Sequence, residues 1–106
     1  MEIKKVQKKV HKIFFDDLKS HKIKAGDDYL ILKITEELGE FVQSYLIHKK
    51  RCRQEKCLSI QKSKQSIARE LADVLCLVLV IAKELEIDLD EAVFKKWISK
   101  EWVKYK

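Results

Sequence analysis

Apolar positions along this chain recur at intervals of three and four rather than two, which is the period of helices and not of strands. Ile3, Val6, Val10, Ile13, Phe14 and Leu18 form one stripe and predict an amphipathic helix over 2–20, with Phe15 beside it. His11 and His21 read as surface residues. Leu30, Ile31, Ile34, Leu38, Phe41, Val42, Tyr45 and Leu46 predict a second helix over 29–50, with Asp27 or Asp28 as its N-cap. A third helix begins near Ser63 or Ser66, either of which suits a cap, and runs to about 86. Asp88 followed three residues later by Glu91 is a capping-box-like start for a fourth. Its inner face carries Leu89, Ala92, Val93, Trp97 and Ile98. The polar stretch between the second and third helices has room for one short helical turn around 57–60. Two glycines and no proline agree with long helices. The expectation is an all-α fold: an antiparallel bundle of four main helices forming a single domain over 1–106.

The third helix carries the feature that needs explaining. From Leu71 to Ala82 every residue is apolar except Asp73. The unbroken run after Asp73 spans about 14 Å as a helix, half of a ~30 Å hydrocarbon core, so no membrane partner is expected. A helix apolar on all sides is expected to be buried, which carries Asp73 into a core. There an unpaired carboxylate costs on the order of several kcal/mol. Glu70 lies three residues earlier on the same face. The second helix offers a similar pair, Glu37 and Glu40, with Gly39 between them. Glycine costs about 1 kcal/mol in a helix interior, and its small size leaves room for another segment to approach.

If these two helices pack antiparallel, Glu37, Glu40, Glu70 and Asp73 converge at one level of the bundle. Mutual repulsion makes such a cluster unstable alone. A hard divalent cation relieves it, and Mg²⁺, with Mn²⁺ as an alternative, prefers oxygen ligands and keeps positions open for water and phosphate oxygens. The competing explanation is local pairing: Glu36 and Glu37 with Lys33, Glu70 with Arg69 or Lys64. Two acid pairs, one at the root of an apolar helix, are more specific than a single E-x-x-E.

The chain has 23 basic and 17 acidic residues, a formal charge of +6. That balance suits an anionic partner or simply a lysine-rich solvated surface. The connection over 48–64 is strongly basic, and it either covers bound phosphates or is a solvated linker. Of three cysteines, Cys76 reads as a core residue. His48, Cys52 and Cys57 lack a fourth partner for a metal site. The odd cysteine count and the lack of a signal sequence fit a reducing cytoplasm.

Thr35-Glu-Glu-Leu-Gly-Glu-Phe41, followed some thirty residues later by Glu70-Leu-Ala-Asp-Val-Leu75, resembles the MazG-like, all-α nucleoside triphosphate pyrophosphohydrolases, whose pattern is E-E-x-x-E, a spacer, then E-x-x-D before an apolar helix. Ile87-Asp-Leu-Asp-Glu-Ala-Val93 followed by Lys96 resembles the family's last helix. The resemblance implies Mg²⁺-dependent cleavage of a (deoxy)nucleoside triphosphate substrate between its α- and β-phosphates, giving a monophosphate and pyrophosphate, with nucleotide-pool house-cleaning as the default role. It implies Glu37, Glu40, Glu70 and Asp73 as metal ligands. It also implies Glu36 as a group that orients or deprotonates the attacking water, and Lys96 as a lysine facing the phosphates. The asparagine that often follows that lysine is Lys100 here. Phe14, Phe15, Tyr29, Tyr45, Trp97 and Trp102 remain open as base-stacking or packing residues.

Four helices cannot easily enclose the third on every side. The surplus apolar surface predicts a homodimer or homotetramer, and the resemblance points the same way. Three alternatives stay open: a phosphoribosyl-ATP pyrophosphohydrolase, a basic nucleic-acid-binding module, which leaves Asp73 unexplained, and a helical interaction module whose acids are only salt-bridged.

Overall fold

The structure, a computed structural model, describes residues 2–26 and 28–105. Among the described residues every regular element is helical: α1 Ile3–Ser20, α2 Tyr29–His48, α3 Ile60–Glu84 and the short α4 Leu89–Val93. A 3-10 turn, Gln54–Lys56, sits between α2 and α3; a π-helical turn, Phe94–Ile98, continues α4, and a second 3-10 turn covers Glu101–Tyr105. The all-α expectation holds. No helix among the described residues is long and apolar enough to cross a membrane.

The helix starts show where local chemistry decides. Asp28 is the N-cap of α2, although its side chain makes no capping bond; the alternative, Asp27, lies outside the described residues. Helix α3 starts earlier than the sequence pattern suggests. Ser59 Oγ accepts the Lys62 N–H at 3.1 Å, so Ser59 caps the helix, and Ser63 and Ser66 fall inside it. Of the expected turn near 57–60 only Ile60 is helical, as the first residue of α3; the short turn lies earlier, at Gln54–Lys56. Asp88 Oδ1 accepts the Glu91 N–H at 3.1 Å, as the spacing predicts.

The chain divides into two compact units, one of 25–77 and one combining 1–24 with 78–106, the division falling within α3. In the first unit α2 lies against the N-terminal part of α3, joined by side-chain hydrogen bonds described below. In the second, Gln7 Nε2 donates to the Leu79 carbonyl at 2.8 Å, His11 Nε2 meets Glu84 Oε1 at 2.6 Å, and Lys4 reaches Asp88 at 3.4 Å. His11 is thus half-buried and partnered, contrary to the surface reading, and its ring lies 4.7 Å from Phe15. Leu18, Leu79, Val80 and Ala82 are the buried apolar residues of this unit.

Burial of α3 is the main departure from expectation. Its C-terminal half is enclosed, but Leu71 and Leu75 stay 49% and 47% exposed, and Ala72 and Asp73 are exposed as well. On α2, Ile31, Leu32, Leu38 and Val42 are exposed too. Gly39 is likewise open: a Cβ there meets nothing within 4 Å, so no described segment uses the space it leaves. The fourth helix also falls short. Leu89 and Ala92 are half-buried, whereas Val93, Trp97 and Ile98 are exposed. For Trp97 and Ile98 the reason is the π turn, in which Ser99 N–H bonds to the Phe94 carbonyl at 2.8 Å; the extra residue per turn rotates these side chains off the inner face.

Three helices end in the same way. Lys22, Lys50 and Glu86 adopt φ of 55°, 58° and 56°. The next N–H then reaches back: Ile23 to Leu18, Arg51 to Leu46 and Ile87 to Ala82, at 2.8–2.9 Å. These are Schellman closures made without glycine, at a left-handed position that disfavours a Cβ. Lys22→Gly and Glu86→Gly are each expected to raise the unfolding free energy by about 0.5–1 kcal/mol in chemical denaturation. A loss of stability in both would contradict this account of the helix ends.

Candidate metal centre on α2 and α3

Two polar contacts set how α2 meets α3. His48 Nδ1 lies 2.8 Å from Ser63 Oγ, and Ser44 Oγ lies 2.8 Å from Ser66 Oγ. Ser63 gives its one hydroxyl proton to the Ile60 carbonyl at 3.0 Å, so Nδ1 of His48 carries the hydrogen and donates to Ser63. Ser44 and Ser63 are buried, at 6% and 1% exposure, where an unpaired hydroxyl is costly. Moving back along α2 from His48 to Ser44 moves forward along α3 from Ser63 to Ser66, so the helices are antiparallel. The same register, continued a turn at a time, sets Glu40 against Glu70 and Glu37 against Asp73.

The acids do converge. One carboxylate oxygen from each of Glu37, Glu70 and Asp73 lies within 4.8 Å of the other two, and Glu36, Glu37 and Glu40 form a second such group. Glu37 belongs to both. Its side chain is 12% exposed, and Oε2 of Glu37 and Oε2 of Glu70 are buried with no hydrogen-bond partner. Burial, above all, pushes the Glu37 carboxyl up to about 7; the neighbouring Glu40 and then Asp73 add to the rise, and Lys33 at 3.9 Å opposes it. Burial also raises Glu70, with the charges of Glu40 and Asp73 behind it. The Cys76 thiol is raised by burial first and by Asp73 second. Asp73 itself is exposed, not sunk in a core: the helix face around it is open.

Local pairing accounts for only part of the cluster. Lys33 bonds Glu36 at 2.7 Å, and that hydrogen bond is the chief reason its own charged form is favoured. Neither Arg69 nor Lys64 is ion-paired to Glu70 among the described residues. What remains is several carboxylates with repelling charges and two buried oxygens lacking any donor. A hard divalent cation fits this all-oxygen set.

Other sequence-predicted groups lie elsewhere or serve other ends. Lys96 is exposed within the π turn, in the unit that combines 1–24 with 78–106. His48 is held by Ser63, and the trio of His48, Cys52 and Cys57 forms no metal-holding group among the described residues. Phe14 and Phe15 pack edge to face at 5.4 Å, while Trp102 lies beneath Lys95 and Tyr45 beneath Lys49. The sequence reading named Lys33 as a neighbour of both Glu36 and Glu37, as found, but took Ser63 and Ser66 for caps and missed their contacts with His48 and Ser44. The signal was present: Glu37, Glu40, Ser44 and His48 make one polar stripe, and Ser63, Ser66, Glu70 and Asp73 mirror it on the other helix.

The raised carboxyl has a consequence for stability. Glu37 binds its proton more tightly folded than unfolded, where its ordinary value is 4.5. That contribution is fully present below 4.5 and is lost as pH rises through about 7. Asp88 is shifted the other way, chiefly by the Glu91 N–H, and acts only at lower pH. Metal-stripped protein is therefore expected to lose stability across the window from 4.5 to about 7, and Glu37→Gln to flatten that decline. Thermal melts in EDTA over this range check it; an equal decline in the variant would place the cause elsewhere.

Neither the curated proteins nor the solved structures gave a match to this chain. The model of the MazG nucleotide pyrophosphohydrolase domain family matches residues 25–101. That span covers α2, α3, α4 and every acid discussed above, and the chain belongs to the MazG nucleotide pyrophosphohydrolase family.

Proposed function

We propose that the chain is a Mg²⁺-dependent nucleoside triphosphate pyrophosphohydrolase, with Mn²⁺ as an alternative ion, acting on (deoxy)nucleoside triphosphates to give the monophosphate and pyrophosphate. The observation that carries the reading is the pair of buried, donorless oxygens on Glu37 and Glu70, brought together by the α2–α3 register. Glu37, Glu40, Glu70 and Asp73 hold the ion. When bound, a divalent ion supplies charge neutralisation for phosphate oxygens and a more acidic water. Glu36 sits one residue from Glu37 on the exposed side of the cluster and orients or deprotonates the attacking water. Its carboxylate is ion-paired to Lys33 at 2.7 Å and lies in one group with Glu37 and Glu40. Lys96, carried over from the family pattern, stabilises negative charge on the phosphates. The exposed rim around Asp73 leaves a triphosphate access to the acids, which a fully enclosed cluster would not.

Self-association is part of the proposal. Leu32, Leu38, Val42, Leu71 and Leu75 leave a large apolar surface on the helices that carry the acids. Exposed apolar side chains in this number suit an interaction surface, and a second copy of the chain, as a homodimer or homotetramer, is the proposed cover. Light scattering at micromolar concentration is expected to give a multiple of the 12.6 kDa chain mass. A mass equal to one chain would overturn this part.

The catalytic proposal is tested by following pyrophosphate and orthophosphate release from a panel of nucleoside triphosphates, with Mg²⁺ and with EDTA. Pyrophosphate release that needs the metal is expected. Asp73→Asn and Glu37→Gln should lower it on the order of 100-fold or more, with helical content by circular dichroism retained. Release of orthophosphate alone would refute cleavage between the α- and β-phosphates, and no release from any triphosphate would refute the reading. DNA binding that persists in Asp73→Asn and weakens steeply with salt would favour a nucleic-acid module.

A further inference from the structure

The connection between α2 and α3 brings two thiols together. After Lys50 closes α2 with its left-handed backbone, the chain passes Cys52 and turns through Gln54–Lys56. Lys56 N–H bonds to the Arg53 carbonyl at 2.9 Å and Cys57 N–H to the Gln54 carbonyl at 3.1 Å. Arg53 and Cys57 flank the turn in extended conformation, with ψ of 144° and 136°. The reversal carries Cys57 back over Cys52, and the sulfurs stand 3.4 Å apart. A disulfide needs them at about 2.05 Å, so a further approach of little more than 1 Å, about the amplitude of ordinary loop motion, closes the bond.

The surroundings favour oxidation. Cys52 is half-buried and Cys57 exposed. Cys52 lines a hollow of about 370 Å³ together with Arg51, Arg53 and Lys56, and none of these three cations is ion-paired among the described residues. Cys57 does not line that hollow and is the thiol open to an oxidant. The third cysteine, Cys76, lies within α3 four residues from another helix-borne group, Ala72, and is half-buried there.

We propose that Cys52 and Cys57 are a reversible dithiol–disulfide modification site, oxidised by hydroperoxides and independent of the phosphoanhydride chemistry. Cys57, the exposed thiol, attacks the terminal peroxide oxygen as its thiolate. The O–O bond breaks, Cys57 becomes a sulfenic acid, and the leaving oxygen departs as water after taking a proton. Cys52 then attacks the sulfenic sulfur; the S–S bond forms, the S–O bond breaks, and a second water leaves. Two thiols and one hydrogen peroxide give one disulfide and two waters. A dithiol reductant reverses the change. The contact with Cys57 is also the first cause holding the Cys52 thiol above its usual range, consistent with Cys52 waiting as the resolving partner. The bond would cross-link the turn that carries Arg53 and Lys56 at the edge of the hollow.

The test uses the full chain, treated with equimolar hydrogen peroxide, then unfolded and alkylated with iodoacetamide. The reduced protein has three free thiols; the oxidised one is expected to show a single alkylation, at Cys76, with the mass of two hydrogens lost. Digestion should yield the Cys52 and Cys57 peptides joined within one chain, and dithiothreitol should restore all three thiols. In Cys57→Ser, Cys52 should survive the same exposure as a free thiol. Three thiols persisting, Cys57 passing to a sulfinic acid with Cys52 free, a bond that includes Cys76, or a bond between two chains would each overturn the proposal.

Discussion

The register between α2 and α3 is the constraint on which the candidate site depends. Two buried serines and a histidine set it. Ser63 and Ser44 cannot be left without partners in a closed interface, and His48 and Ser66 are the groups that satisfy them. Sliding the helices by one turn would strand the Ser44 hydroxyl and leave Ser63 only its bond to the Ile60 carbonyl. Held in register, the helices have no choice but to oppose Glu40 with Glu70 and Glu37 with Asp73. Burial first, and the neighbouring Glu40 and Asp73 after it, raise the carboxyls of Glu37 and Glu70 there. A well-satisfied polar clasp at one end of the interface thus holds a poorly satisfied acidic cluster at the other.

That division of labour is a familiar physical pattern. Folding strength comes from groups whose demands are met, and binding capacity from groups whose demands are not. Oε2 of Glu37 and Oε2 of Glu70 lack donors, while nearby Lys33 is bonded to Glu36, on the outer side of the same turn. The lysine therefore lowers the local charge without filling the site. The family match over residues 25–101 spans both helices and the acid pairs they carry.

Much of this could be read from the sequence because it rests on short-range rules. Asp88 with Glu91, the three amphipathic stripes and the two E-x-x-acid pairs are all patterns within one or two helical turns. What escaped depends on partners in space. Ser63 and Ser66 satisfy the rule for a cap as well as Ser59 does, and only the clasp with α2 shows why they lie inside the helix. The full burial expected around Asp73 failed because apolar composition measures the demand for cover and not its supply: Leu71 and Leu75 remain exposed. The π turn at Phe94–Ile98 has no composition signal at all, yet it decides where Trp97 and Ile98 point.

The central claim is that repulsion among Glu37, Glu40, Glu70 and Asp73 is relieved by a divalent cation. Calorimetric titration of Mn²⁺ into the metal-stripped protein, repeated in buffers of different ionisation enthalpy, tests it most directly. The account predicts saturable binding that releases protons near pH 7, where the Glu37 carboxyl is still partly protonated, and less release at higher pH. Absence of binding, or binding with no proton released at any pH, would contradict it.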